Sequence, residues 1–233
     1  MKNLTILFIS CFGLLIQAQD DVFFTDADAF FKTHVSNGRV DYQTIKKDTS
    51  TLDDLLDQIA VARVSPDPDK SLAFYINTYN LLTIKGIVDH YPIKQPLEVS
   101  GFFESIKYKV AGKKNTLNDL ENKIIRPTYK DARIHFALVC GAISCPPIIN
   151  EAYMPKKLDA QLNRQTKKAM SNPLVVTVND DSVCVSKIFE WYAVDFVNDN
   201  QSLLDFINRY RDASIPTDKK VKYQQYDWSL NGK

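Results

Sequence analysis

Glycine is scarce, with seven in 233 residues, and no Gly-rich phosphate loop is present, so nucleotide cradling is not expected. The chain also lacks a G-x-S-x-G nucleophile elbow and an H-E-x-x-H metal motif. No cofactor motif is found, and none is expected. Charge of one sign is absent too: 29 Lys and Arg against 28 Asp and Glu leave a net +1. Without a basic field, nucleic acid and anionic surfaces are excluded as expected partners. Cysteines number four, too few at this length for a disulfide-stapled scaffold.

What is present begins with a leader. Lys2, an apolar run from Leu4 to Ile16 and a small-residue end at Ala18 read as a secretory signal over 1–18. The run is shorter than the roughly 20 residues of a membrane span. Cys11 offers a lipid-attachment alternative, disfavoured by the bulk of Phe8 and the apolar residues beyond it. No later segment is apolar enough to span a bilayer. The expected product is a periplasmic or secreted single domain over 19–233 whose remaining cysteines are Cys140, Cys145 and Cys184. An odd number leaves at least one thiol unpaired in a monomer.

Periodicity gives an α+β fold, a single helix-rich domain with a small, mostly antiparallel sheet. Asp26 to Val35 reads as an amphipathic helix stopped at Asn37-Gly38, followed by an extended piece from Arg39 to Tyr42. Thr51 to Val64 reads as a second helix ending before Ser65-Pro66. Lys70 to Pro92 is apolar on nearly every face and should be the central buried helix. Asn77, Asn80 and Thr83 form a polar row on it, and buried amides need partners: neighbouring backbone, or a site that they line or brace. A hairpin is expected over Lys107 to Lys114. Thr116 caps a helix to Ile125 with Asp119 in the capping-box position. On its inward stripe stands Glu121, whose partner is Arg126, Arg133 or an imidazole. Arg133 to Val139 reads as a strand, Lys156 to Met170 as a helix, and Leu174 to Val185 as a second hairpin. Short helices follow over Ile188 to Phe196 and Leu203 to Tyr210. The aromatic tail should pack back on the body.

The chemistry concentrates at "VCGAISCPP", Val139 to Pro147. Gly141 permits a sharp turn. Pro146 suits the first turn of a helix, which would leave Cys145 at an N-cap where the helix dipole favours thiolate. His135, ten residues upstream, is close enough in chain length to fold against that sulfur, and Glu121 could orient the imidazole. This gives a cysteine-dependent hydrolase or acyl transferase on an amide or peptide-like bond. Its nucleophile is Cys145, its base His135 and its orienting carboxylate Glu121. Asn77, Asn80 and Arg133 would contact a small-molecule or peptide ligand. Two alternatives use the same residues: a thiol-redox module built on Cys140 and Cys145, and a non-catalytic binding domain in which the thiol is packed and His135 structural. Cys140 and Cys184, each beside valines, read as core. Zinc is disfavoured by the C-x4-C spacing, with only His135 and Cys184 to complete a ligand set.

The strings "FYINTYNLLTI", "LNDLENKIIRP", "RIHFALVCGAISCPPI", "EAYMPKKLDAQLNRQ", "VSKIFEWYAVDF" and "YDWSLN" resemble the family called domain of unknown function 547, from about Asp41 to Asn231. The resemblance maps the family pattern onto Asn77, Tyr79, Asn80, Glu121, Arg133, His135, Cys145, Asp195 and Phe196. It implies thiol chemistry or thiol-containing ligands, because some larger relatives join this domain to a glutaredoxin-like one. Asn122 departs from the pattern, which has histidine there; if that histidine takes part in chemistry, this member is weakened. His135 precedes Cys145, the reverse of papain-like enzymes, so a permuted papain-like arrangement is compatible with the family.

Overall fold

The computed structural model describes residues 22–197 and 201–233. The expected signal over 1–18, with Cys11, lies outside them. The first element, helix α1, covers 22–34 and leads through Asn37-Gly38 into a two-stranded hairpin, β1 (Val35–Ser36) and β2 (Arg39–Val40). Both turn residues have positive φ, 51° and 75°, as an Asn-Gly hairpin turn requires. Helices α2 (Tyr42–Lys47) and α3 (Ser50–Val61) follow. The extended reading through Tyr42 is corrected at this point: Asp41 accepts a hydrogen bond from the Thr44 amide and starts a helix instead.

Helix α4 (Pro68–His90) is the axis of the larger core. Asp67 caps it by accepting from the Lys70 amide at 2.9 Å, and Pro68 occupies the first turn, where its missing N–H costs nothing. Its apolar circumference is buried as the sequence requires, with Ile76, Leu81 and Ile87 fully enclosed. The expected hairpin is β3 (Tyr108–Val110) and β4 (Lys113–Asn115), turning at Ala111-Gly112. Thr116 and Asp119 form a reciprocal capping box on α5 (Leu117–Asp119). That helix widens into a π-helical turn over Leu120–Ile125 and closes as α6 (Arg126–Tyr129).

A smaller core gathers Phe136, the end of α7 (Leu158–Met170), α8 (Ile188–Trp191), α9 (Ala193–Phe196) and α10 (Leu203–Arg209). Its sheet pairs β5 (Val176–Val178) with β6 (Ser182–Val185) antiparallel, as expected. A third strand that the sequence reading omitted, β7 (Lys220–Tyr223), runs parallel to β6. The tail does pack back. Asn231 accepts from the buried Tyr42 hydroxyl at 2.7 Å, and Ser229 and Asp227 carbonyls take the amides of Ile143 and Ser144. No helix among the described residues is long and apolar enough to cross a membrane.

Two local readings are corrected. Residues 133–139 are not a strand: Ala132–Phe136 is a 3₁₀ turn. Asp131 accepts from the Arg133 amide at 2.9 Å, and the Ala137 and Leu138 amides return to the Ile134 carbonyl. An apolar alternation this short does not by itself distinguish a strand from a helical turn. Nor does a helix follow Cys145, whose flanking backbone is irregular. Pro147 holds the residue before it out of the α region, so Pro146 cannot open a helix.

Candidate active site

The thiol loop is fixed from two sides. Helix α4 holds its entry: the Asn80 amide donates to the Ala137 carbonyl at 3.0 Å, and its carbonyl accepts from the Val139 amide at 2.9 Å. The C-terminal tail holds its middle, with the Asn231 amide on the Gly141 carbonyl. Gly141 itself sits at φ 81°, and a Cβ there would meet Ile87 Cδ1 at 2.5 Å, so glycine is required both by conformation and by space.

This loop brings the two sulfurs together. The Cys140 amide donates to Cys145 Sγ at 3.0 Å, and Cys140 Sγ lies 3.2 Å from the Tyr226 hydroxyl. Cys145 is buried, and its thiol can donate to the Leu138 carbonyl 3.8 Å away. Cys140 is partly buried and packs against the larger core. All three described cysteines are free thiols. A hydrogen bond from the Cys145 thiol pulls the Cys140 thiol below its ordinary value; burial opposes this, and the Tyr226 hydroxyl adds to it. Cys145 goes the other way, pushed well up by burial and by its neighbour. The pair thus gives up its first proton at Cys140, not at Cys145 as the N-cap argument requires.

Both sulfurs face a cavity of about 260 Å³, with His135, Glu121, Asn122 and Tyr192 also in its wall. It opens where the two cores meet, between α4 and the π-helical turn on one side and α8 on the other. His135 Nε2 hydrogen-bonds Asp195 Oδ2 at 2.7 Å, and the ring stacks on Tyr192 with centroids 4.0 Å apart. In this pair Nε2 is the nitrogen that carries the donated proton. Among the described residues no hydrogen bond joins either sulfur to His135.

Glu121 does not orient the imidazole; Asp195 does. The Tyr79 hydroxyl donates to Glu121 Oε2 at 3.0 Å, and the Tyr192 hydroxyl lies close enough to the same carboxylate for its charge to hold the phenol protonated. The π-helical turn sets Glu121 inward, and local widening of a helix at a functional side chain is a recurrent use of this geometry. Arg126, one of the expected partners, binds Asp195 Oδ2 through Nε at 2.7 Å and lies 4.8 Å over the Tyr192 ring. Asn122 receives Arg126 and donates to Asn118.

None of the three expected ligand-contacting residues stands in the cavity wall. Asn77 is fully buried and spends both ends of its amide on the Tyr153 backbone, at 2.8 and 2.9 Å. Asn80 spends both on the thiol loop, as described. Arg133 is committed to Asp131, Asp159 and Asn163. The asparagines brace the site without touching its contents. Among the described residues no group of three or more His, Cys, Asp or Glu side chains converges to hold a metal ion.

Asp195 was legible only through the family resemblance, with no role attached. Burial disfavours its charge, but the hydrogen bonds from His135 and Arg126 outweigh this and bring its carboxyl down to about 2. A folded pKa below the unfolded value of roughly 3.9 means stability that is present above pH ~4 and lost as pH falls toward ~2. The contribution is on the order of 1–2 kcal/mol after partial solvent screening. In urea unfolding, the stability gap between the native protein and Asp195→Asn should shrink across that window. A gap constant from pH ~5 to ~2 contradicts the assignment.

Residues 64–168 match the model of the family described as protein of unknown function, DUF547. No curated protein and no solved structure matches the chain.

Proposed function

We propose that this chain, which belongs to the DUF547 family through residues 64–168, carries out thiol–disulfide exchange with Cys140 and Cys145 as the working pair. One observation carries the reading: the 3.0 Å hydrogen bond from the Cys140 amide to the Cys145 sulfur, at the wall of a shared cavity. Exchange needs an attacking thiolate and a second thiol within reach to resolve the adduct. Cys140 is the more exposed residue and the more acidic thiol; Cys145 is buried.

In the first step the Cys140 thiolate attacks one sulfur of a substrate disulfide. The S–S bond breaks, a mixed disulfide forms, and the departing half leaves as a thiolate that takes up a proton. In the second, Cys145 loses its proton to a base on the wall, His135 or Glu121, and attacks the Cys140 sulfur. An internal disulfide forms and the other half leaves. The two electrons pass from the thiol pair to the substrate. Export through the leader read at 1–18 would place the pair in an oxidising compartment.

Acyl transfer draws support from the His135–Asp195 dyad, which resembles the base and orienter of a nucleophilic site. It is the weaker reading because five of the neighbouring amides are spent. Val139 donates to Asn80, Cys140 to the Cys145 sulfur, Ile143 and Ser144 to the tail, and Cys145 to the Ala142 carbonyl. A tetrahedral oxyanion would find no donor among these five. In exchange the developing charge sits on sulfur, where the thiol and phenol donors already are.

The test is equilibration against mixtures of reduced and oxidised dithiothreitol, read by peptide mapping. One two-electron transition should yield a Cys140–Cys145 disulfide and leave Cys184 free. Thiols at 140 and 145 that stay free in fully oxidised buffer would refute the proposal.

A further inference from the structure

The cavity has a chemical character that the thiol pair does not explain. Its outer wall is aromatic: Phe103, Trp191, Tyr226 and Trp228 pack in sequence, with ring centroids 4.8 to 6.4 Å apart. Trp191 at the mouth is 47 % exposed, a large apolar surface left in water. Two carboxylates share the wall, the exposed Glu104 and the buried Glu121, and no Lys or Arg does. Glu121 accepts from the Tyr79 phenol at Oε2 and lies beside the Tyr192 phenol, and neither phenol brings a positive charge to offset it. Arg126 is the cation whose field reaches it, and that guanidinium is bound to Asp195 and Asn122.

We infer that this cavity binds an organic ammonium group, seated between the aromatic wall and the Glu121 and Glu104 carboxylates. Ring faces attract a cation through their quadrupole, most strongly those of tryptophan. A carboxylate in a partly desolvated wall adds a directional preference for positive charge. An anionic ligand would meet both carboxylates with no Lys or Arg in the wall to receive it. At about 260 Å³ the space lies just under the roughly 300–1,000 Å³ usual for small-molecule pockets, so the occupant is a small one. The inference rests on the walls and not on exchange. A cation that binds to a protein inert toward disulfides would leave it standing, and the reverse outcome would leave the exchange proposal standing.

The chain has two tryptophans, and both line the cavity, so intrinsic fluorescence reports this site directly. The probes are choline and its neutral carbon isostere, dimethylbutanol, added to the full mature chain with its thiols kept reduced. Choline should give a saturable change, with an affinity about tenfold above the isostere's. In Glu121→Gln, with folding checked by circular dichroism, the preference should fall toward unity. Glu104→Gln, at an exposed position that cannot disturb the core, should lower it in the same direction. Equal affinities for the two probes, no saturable change with choline, or a preference unchanged in both variants would overturn the inference.

Discussion

Replacing Asn80 by alanine is expected to cost about 2–5 kcal/mol, among the largest single-site losses in the protein. The side chain is 2 % exposed and replaces a strand partner for the segment it faces. It meets the Ala137 carbonyl and the Val139 amide at 3.0 and 2.9 Å, so truncation orphans one buried acceptor and one buried donor. Each orphan costs about 1–3 kcal/mol, and water is poorly placed to repair either within a closed core. For a chain of this size the loss corresponds to a fall of about 5–15 °C in Tm. Asn77→Ala provides the comparison. It orphans two groups of Tyr153 in the same way, beyond the thiol loop and not at its entry. Both variants should melt early, but only Asn80→Ala should also change the rate at which Cys140 is alkylated, because only Asn80 fixes the strand of backbone leading into it. A loss below ~1 kcal/mol for Asn80→Ala, measured in urea, would show that the bracing account is mistaken.

The elements that the sequence made legible are those fixed by local rules. The buried length of α4 follows from its continuous apolar circumference and the Asp67-Pro68 start. The Thr116–Asp119 box and the Asn37-Gly38 turn follow from residue types at fixed offsets. Residues 133–139 show a real alternation, but their hydrogen bonds close a local turn on Ile134 and reach a side chain, Asn80, which no periodicity reveals. The missing helix after Cys145 was legible: two successive prolines forbid it. Parallel pairing of β7 with β6 joins residues about 40 apart and leaves no local trace.

The site divides in the same way. Cys145, Cys140, His135 and Glu121 carry chemistry in their residue types, and all four reach one cavity. Their pairing was not legible. Asp195 comes to His135 from 60 residues away, and Tyr79 comes to Glu121 from 42. The tail aromatics Tyr226 and Trp228 do pack back as expected, but with Trp191 and around an opening. The polar row on α4 was rightly seen as needing partners. Its amides were assigned to a ligand when the backbone had already claimed them.

The second large effect is all-or-none, and it bears on the division of labour between the two sulfurs. Cys145→Ser removes the resolving thiol but keeps a hydroxyl that can donate to the Cys140 thiolate, so the attacking sulfur survives. Challenged with 2-hydroxyethyl disulfide, this variant should stop at a stable mixed disulfide on Cys140. The native chain should pass through the same adduct to the internal disulfide, releasing both halves of the reagent. Cys140→Ser should form neither at a comparable rate, because the remaining sulfur is buried and its burial holds it protonated. Mass spectrometry of the adducts after digestion, on a Cys184→Ser background, reads all three cases at once. The account predicts the trapped adduct on Cys140 and its absence from the native chain. A first adduct on Cys145, or a native chain that keeps its mixed disulfide unresolved, would contradict it.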